Sequence, residues 1–341
     1  MFFIRPMTQS LNDSIIKRLN NPMIYSVRHT TIFRYEPAVR ESIMEVRLQP
    51  RSDGDRRCLN FSLKVDPAAS IMQYRDFAGN TVHHFDIAAA HTQVTVSAES
   101  SVEVQTAPAP RAADCGDWSD LDALVAGGDY WEMLLPSHFA CSTPALEDLA
   151  NALKCERRGN PLELLTELNT AIYTLFAYVP NSTKVDSPID EALQVRQGVC
   201  QDFAHIMIAL VRRLKIPCRY VSGYMFHRDE NEKDRSLEGA SHAWVEVLAP
   251  RLGWVAFDPT NNLVGADRHI RVAIGRDYAD VPPTRGVYKG EAQNELSVTV
   301  TVNPADKEPV EPAAPSFIIR SRPVLVRTTA KRVDQEQQQQ Q

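Results

Sequence analysis

Three residues in the second half of this 341-residue chain have types that work together in covalent catalysis: Cys200, His242 and Asp258. A thiol becomes an effective nucleophile when an imidazole can take its proton, and a carboxylate can hold that imidazole in one tautomer. The surroundings of Cys200 strengthen the reading. Apolar residues fall at 203, 206, 207, 210, 211 and 214, the three-and-four spacing of an amphipathic helix. Lys215-Ile216-Pro217 stops the pattern, and Gly198 eases the turn into it. Cys200 is therefore expected in the first helical turn, where backbone N–H groups and the positive end of the dipole favour an anion. In such a setting, with an imidazolium nearby, a cysteine sulfur is readily held as thiolate, and the same N–H groups can donate to an oxyanion.

The base and its orienter fall in an expected hairpin. Ser241 to Leu248 alternates like a strand, and Gly253 to Asp258 follows a Pro-containing turn. Pairing Leu248 with Leu252, with Ala249-Pro250-Arg251 as the loop, sets Glu246 opposite Trp254, Trp244 opposite Ala256 and His242 opposite Asp258. Directly opposed residues share a face with Cβ atoms about 5 Å apart, close enough for carboxylate and imidazole to bond. Taken singly, a cysteine at a helix start is more often a small buried residue, and a strand histidine more often structural. Helix position and hairpin register together carry the catalytic reading.

Neighbouring candidates rank lower. Gln201 and Asp202 fit the capping role usual at a helix start. His205 points about 140° away from Cys200 around the helix and reads as packed or solvated. Tyr178 reads as core packing, with pocket lining as the other option. A second oxyanion donor is expected, and no residue of the sequence singles itself out for it.

The elements needed to position these groups can be read along the chain. Residues 1–22 form an extension with a short amphipathic pattern through Ile15, Ile16 and Leu19. Strand-like runs at Tyr25 to Tyr35, Ser42 to Leu48, Leu59 to Val65, Thr81 to Ile87 and Thr92 to Val104, separated by turn signals, predict a small β-sandwich or barrel over 23–105. A Pro/Ala linker and a helical bridge span 106–159, the best helix being Leu162 to Phe176 just after it. The α+β core is placed at 160–303, and the Pro-, charge- and Gln-rich tail, 304–341, is expected to be disordered.

Apolar residues are 43% and charged residues 23%, ordinary globular usage. The net charge of −6 argues against a general nucleic-acid binder. Six cysteines show no C-x-x-C pair and no zinc pattern, so neither disulfide framework, metal nor cofactor is expected. No apolar run reaches the roughly 20 residues of a membrane span, and no secretory signal is apparent at the start, so a reduced, cytoplasmic setting away from the membrane is the expectation.

Arg196-Gln-Gly-Val-Cys200-Gln-Asp-Phe-Ala-His205, Ile216-Pro-Cys-Arg-Tyr-Val-Ser-Gly-Tyr224, Ser241-His-Ala-Trp-Val-Glu246 and Gly253-Trp-Val-Ala-Phe-Asp-Pro-Thr-Asn261 closely resemble the bacterial transglutaminase-like superfamily. His29-Thr-Thr with Phe33 and Tyr35, and Asp76-Phe-Ala-Gly79-Asn80, resemble the β domain that precedes the core in one branch of it. The resemblance implies a papain-like arrangement in which a helix carrying the cysteine packs on an antiparallel sheet carrying histidine and aspartate. By motif position Cys200 would be nucleophile, His242 base and then acid, and Asp258 orienter. The implied substrate is a protein, peptide or amide. Hydrolysis through a thioester acyl-enzyme is favoured. Transfer of the acyl group to an amine, acetyl transfer from a thioester donor, and an idle peptide- or protein-binding module are the alternatives.

Overall fold

The structure, a computed structural model, describes residues 22–105, 108–227, 234–265, 267–305, 317–320 and 330–334. The amphipathic pattern expected at residues 1–22 and most of the expected disordered tail lie outside these residues.

The first half is built on one long strand. β1 (Met23–Val46) buries alternate residues from Tyr25 through Val27, His29, Thr31 and Phe33 to Tyr35, as a half-buried strand should. Its register shifts between Arg34 and Val39 and again between Arg40 and Ile43, so it bends rather than ending. The sequence predicts two strands here, and the bend accounts for the polar break between them. β2 (Arg56–Asp66), β3 (Met72–Arg75), β4 (Thr81–Ile87) and β5 (His91–Val104) follow. The first part of β1 pairs with β5 and the last part with β4, so one strand serves two layers that close over a shared core including Phe33, Val46, Phe85 and Val96.

Helices come next: α1 (Trp118–Val125), α2 (Pro144–Ala152) and α3 (Pro161–Leu175). The α3 start is specified locally, since Asn160 accepts from the Leu162 N–H at 2.9 Å and Pro161 occupies the first helical position. The short strand β6 (Ala177–Tyr178) precedes α4 (Ile189–Val195) and pairs in parallel with β7 (Gln197–Gly198), directly before α5 (Cys200–Arg213). The sequence treats 106–159 as a bridge. Instead Leu121, Leu146, Leu149 and Cys155 pack into the same core as α5, because the stripes of α1 and α2 need a partner and α5 supplies it.

α5 is buried from Cys200 to Arg212, more completely than an amphipathic helix requires. On one side lies a five-stranded antiparallel sheet of β8 (Cys218–Met225), β9 (His242–Ala249), β10 (Gly253–Asp258), β11 (Leu263–Val264) and β12 (His269–Gly275), in the order β11-β10-β9-β8-β12. The chain then returns to the first half. β13 (Thr284–Lys289) and β14 (Gln293–Pro304) pair with β1, β15 (Phe317–Arg320) with β14, and β16 (Ala330–Asp334) with β13. β13 and β14, which the sequence reading counts with the core at 160–303, thus pair with the first half, and two stretches of the expected disordered tail are strands. Local composition cannot report a pairing with a strand more than 200 residues earlier.

The outer edge of β12 is closed by the first half. Arg51 N–H donates to Arg271 O at 2.9 Å, and Asn80 both accepts from Ile274 N–H and donates to Ile274 O at 2.8 Å. Tyr224 on β8 and the His29 Nδ1 lie 3.0 Å apart across the same junction. An exposed sheet edge is a liability, and here it is covered within the chain.

Candidate active site

Cys200 is the first residue of α5 and is fully buried. Val199 has no side-chain acceptor, so capping is one-sided: the Asp202 carboxylate accepts from the Val199 N–H at 2.8 Å and from the Thr183 hydroxyl at 2.6 Å. Burial raises the Asp202 carboxyl to about 6 against those donors. Gly198 is required by this packing, since a Cβ there would lie 2.9 Å from the Asp202 carboxylate. Gln201 is also buried and donates to Val185 O at 3.0 Å. His205 is packed: it stacks on Phe139, accepts from the Tyr278 N–H at 3.2 Å, and burial lowers its pKa to about 4.

The β9–β10 hairpin brings His242 and Asp258 together, in a different register from the expected one. Ala249 pairs with Gly253, Leu248 with Trp254 and Glu246 with Ala256. The loop is Pro250-Arg251-Leu252, with Arg251 at φ 64 and Gly253 at φ 74 closing it. The predicted register is thus displaced by two residues, and His242 is not directly opposed to Asp258. A two-residue displacement keeps every side chain on its face, and diagonal neighbours remain within reach. His242 Nε2 lies 2.8 Å from Asp258 Oδ2. An ionised carboxylate only accepts, so Nε2 carries the proton of this bond. Among the described residues Nδ1 finds no nitrogen or oxygen partner, and the Cys200 thiol is the further group that interacts with this imidazole.

Sequence reasoning did not identify two further members of the site. His269, on β12, places its Nε2 3.1 Å from the same Asp258 oxygen, with its ring 4.8 Å from that of Trp244. Asn261 donates from Nδ2 to Asp258 Oδ2 at 2.9 Å, and its Oδ1 accepts from the Arg235 and Ser236 N–H groups. Asp258 Oδ1 accepts from the N–H groups of Thr260 and Asn261. Asn261 stands in a quoted motif, whereas His269 carries no local signal. Gly223, paired with His242 on β8, leaves the space these rings use: a Cβ there would overlap the Ile270 carbonyl oxygen and lie 2.7 Å from the Trp244 ring.

The electrostatics follow from this wiring. Burial disfavours a charged Asp258, but the facing His242 and the hydrogen bonds from both imidazoles hold it well below the usual carboxylate range. Burial likewise disfavours an imidazolium at His242. The Asp258 carboxylate outweighs burial, the Cys200 thiol adds to it, and His242 is raised to about 10. His269 is pushed down by burial and so donates to Asp258 as a neutral ring. Tyr178, paired with Gly198 across β6–β7, is pushed up by burial and by Cys200. The ligand atoms of His242, Asp258 and His269 lie within 4.8 Å of one another, and the two hydrogen bonds to Oδ2 account for that closeness. No helix among the described residues is long and apolar enough to cross a membrane.

A cysteine at a helix N-terminus facing an imidazole that a buried carboxylate orients has the arrangement of a papain-like thiol site. Residues 149–259 match the transglutaminase-like superfamily, and residues 25–103 match the bacterial transglutaminase-like N-terminal region. The chain belongs to the transglutaminase-like superfamily and is a transglutaminase-like cysteine enzyme. It is 35% identical over 308 residues to an uncharacterised protein of Mycobacterium tuberculosis, covering 86% of this chain and 97% of that one. It is 31% identical over 170 residues to the protein-glutamine gamma-glutamyltransferase of Pseudomonas aeruginosa, covering 47% of this chain and 25% of that protein. Among solved structures, a candidate cysteine protease from Cytophaga hutchinsonii shares the fold, with a TM-score of 0.63, 21% identity and coverage of 92% and 98% of the two chains.

Proposed function

We propose that the protein hydrolyses an amide or peptide bond through a thioester on Cys200, with His242 and Asp258 completing the triad. The observation that carries this reading is the buried His242–Asp258 bond at 2.8 Å, with the other imidazole nitrogen committed to Cys200. The sulfur, as thiolate, attacks the carboxamide carbon and the carbonyl electrons move to oxygen. Collapse of the tetrahedral oxyanion expels the amine, which takes the proton from His242 Nδ1 and leaves a thioester. Water then attacks, His242 accepts its proton, and loss of the thiolate releases the acid. Asp258 remains ionised throughout. First-turn N–H groups of α5 supply part of the oxyanion stabilisation. Cys200 and His242 are both buried, so the covering groups must move before an acyl group reaches the sulfur.

Amine transfer is the second reading, favoured by the similarity to the Pseudomonas aeruginosa glutamyltransferase. Incubation with a glutamine-containing peptide and excess primary amine decides between them. The proposal expects ammonia and free acid, with an acyl adduct on Cys200 seen by mass spectrometry. Predominant amine incorporation moves the assignment to transfer, and no acyl adduct with any amide or ester leaves a binding module. We place the reaction in the cytoplasm on a protein, peptide or amide substrate, a compartment consistent with six free thiols; cell fractionation tests it.

A further inference from the structure

We infer that His269 acts on the reaction through Asp258, as a positioning residue that shares the carboxylate with His242, and that the N-terminal β half sets His269 in place through Arg56. The inference rests on the thioester reading above.

His242 and His269 both donate from Nε2 to Asp258 Oδ2, at 2.8 and 3.1 Å, and both rings are almost completely buried. Only one of them faces the nucleophile. Among the described residues the buried His269 Nδ1 has no hydrogen-bond partner, so the one side-chain hydrogen bond of this histidine found there is to Asp258. Leaving a buried polar atom unmatched is unfavourable, and a purely structural position avoids it.

The carboxylate itself does not need His269 to stay in place. Oδ1 is fixed by two backbone N–H groups and Oδ2 by Asn261. What His269 changes is how much of the Oδ2 charge is left for His242. The ionisable or charged groups acting on the pair are Asp258 from β10, Cys200 from α5, and Arg56 from β2. Tyr178 from β6 acts on Cys200. Asp258 already raises His242 strongly, and deacylation needs His242 as a neutral base. By taking part of the charge, His269 lets His242 release its proton during hydrolysis of the thioester. Acylation needs the protonated ring and gains nothing from this.

The N-terminal half holds the arrangement from behind. Arg56, buried on β2, donates from Nε to the His269 carbonyl at 2.7 Å. Arg51 and Asn80 tie Arg271 and Ile274 of the same strand. His269 opens β12, paired with Met225 of β8, and Arg56 adds a second hold on its backbone from the other half of the chain.

The test uses p-nitrophenyl acetate, which separates a burst of acylation from steady-state deacylation. In His269→Leu the burst should stay within about threefold of wild type, while the steady rate falls about 10–100-fold, the range seen when a metal-bound histidine loses the partner that orients it. The half-maximal pH of the steady rate should move upward. His269→Gln, which keeps a donor at the Nε2 position, should recover most of the steady rate. Arg56→Gln should shift both readouts in the direction of His269→Leu, but less. Thermal midpoints are measured on the same samples, and His269→Gln with Arg56→Gln carry the test if the leucine variant does not fold. Burst and steady rate falling together, an unchanged steady rate, or glutamine doing no better than leucine overturns the role of His269. Wild-type deacylation in Arg56→Gln overturns the link to the β half. A wild-type burst that survives in Cys200→Ala overturns the thioester reading instead, whatever the His269 variants do.

Discussion

His242 Nε2 and Asp258 Oδ2 meet at 2.8 Å along a diagonal of the β9–β10 hairpin, two residues away from direct opposition. The same carboxylate closes the turn that follows it, because Oδ1 accepts from the N–H groups of Thr260 and Asn261. Orientation of the His242 imidazole and capping of the turn are therefore two duties of one side chain.

Those duties separate on substitution. Asp258→Asn keeps one acceptor oxygen, which serves either the turn or an imidazole N–H but not both, so it should fold and retain a low turnover. Asp258→Ala loses both and should turn over about tenfold more slowly than Asp258→Asn, with a lower thermal midpoint. Turnover per folded molecule and thermal melting on the same samples check this. Near-wild-type turnover in folded Asp258→Ala removes Asp258 from the triad.

The buried pair also makes stability depend on pH. His242 is raised from 6.5 to about 10, so its contribution is fully present below about 6.5 and is lost as pH rises through about 10. Asp258 is depressed, so its contribution is present above its ordinary value of 3.8 and is lost only as pH falls well below it. The melting temperature of wild type should exceed that of His242→Gln most between about pH 4 and 6.5, and the gap should close towards pH 10. A gap that widens with alkaline pH would contradict the ion pair.

Much of this site was legible because it is local. The 3.6-residue spacing after Cys200, punctuated by Gly198 and Pro217, places the helix start at the thiol, as found. The hairpin was legible in its faces but not its register. Loop length depends on the left-handed Arg251 and on Gly253, and a two-residue displacement leaves the apolar pattern unchanged. His269 was not legible, because it reaches Asp258 only once β12 lies in a sheet beside β8. Sheet order is a long-range property, and no spacing near His269 announces it. The return of β13 and β14 to β1 was hidden for the same reason.

Gly223 should tolerate no side chain. Its position opposite His242 leaves room for the Trp244 ring and for the close passage of the Ile270 carbonyl, which a Cβ would overlap. Gly223→Ala should cost about 1–3 kcal/mol of stability by overpacking, and should lower turnover by displacing His269 and Trp244. Denaturant melts and the p-nitrophenyl acetate assay check both effects. A variant with wild-type stability would mean that β12 shifts freely, against the tight edge contacts of Arg51 and Asn80.

The last expectation concerns which thiol reacts. Burial raises Cys58 and Cys115, and raises Cys155 and Cys218 each to about 11, so none of these four presents thiolate at mildly acidic pH. Cys200 differs in standing at a helix start against His242, where an imidazole can take the proton of a nucleophile. It is also fully buried, whereas Cys58 and Cys141 are half-buried, so exposure and activation point to different residues. If activation decides, limited iodoacetamide treatment near pH 5.5 should alkylate Cys200 first, and the fast phase should vanish in Cys200→Ala and in His242→Ala. The ratio of the maleimide rate to the iodoacetamide rate should be lower at Cys200 than at Cys141, because of the two only Cys200 needs covering groups to move. Peptide mapping by mass spectrometry assigns each adduct. First labelling at Cys141 or Cys58, with Cys200 untouched in folded protein, would show that exposure decides and would leave Cys200 without the activation that the triad requires.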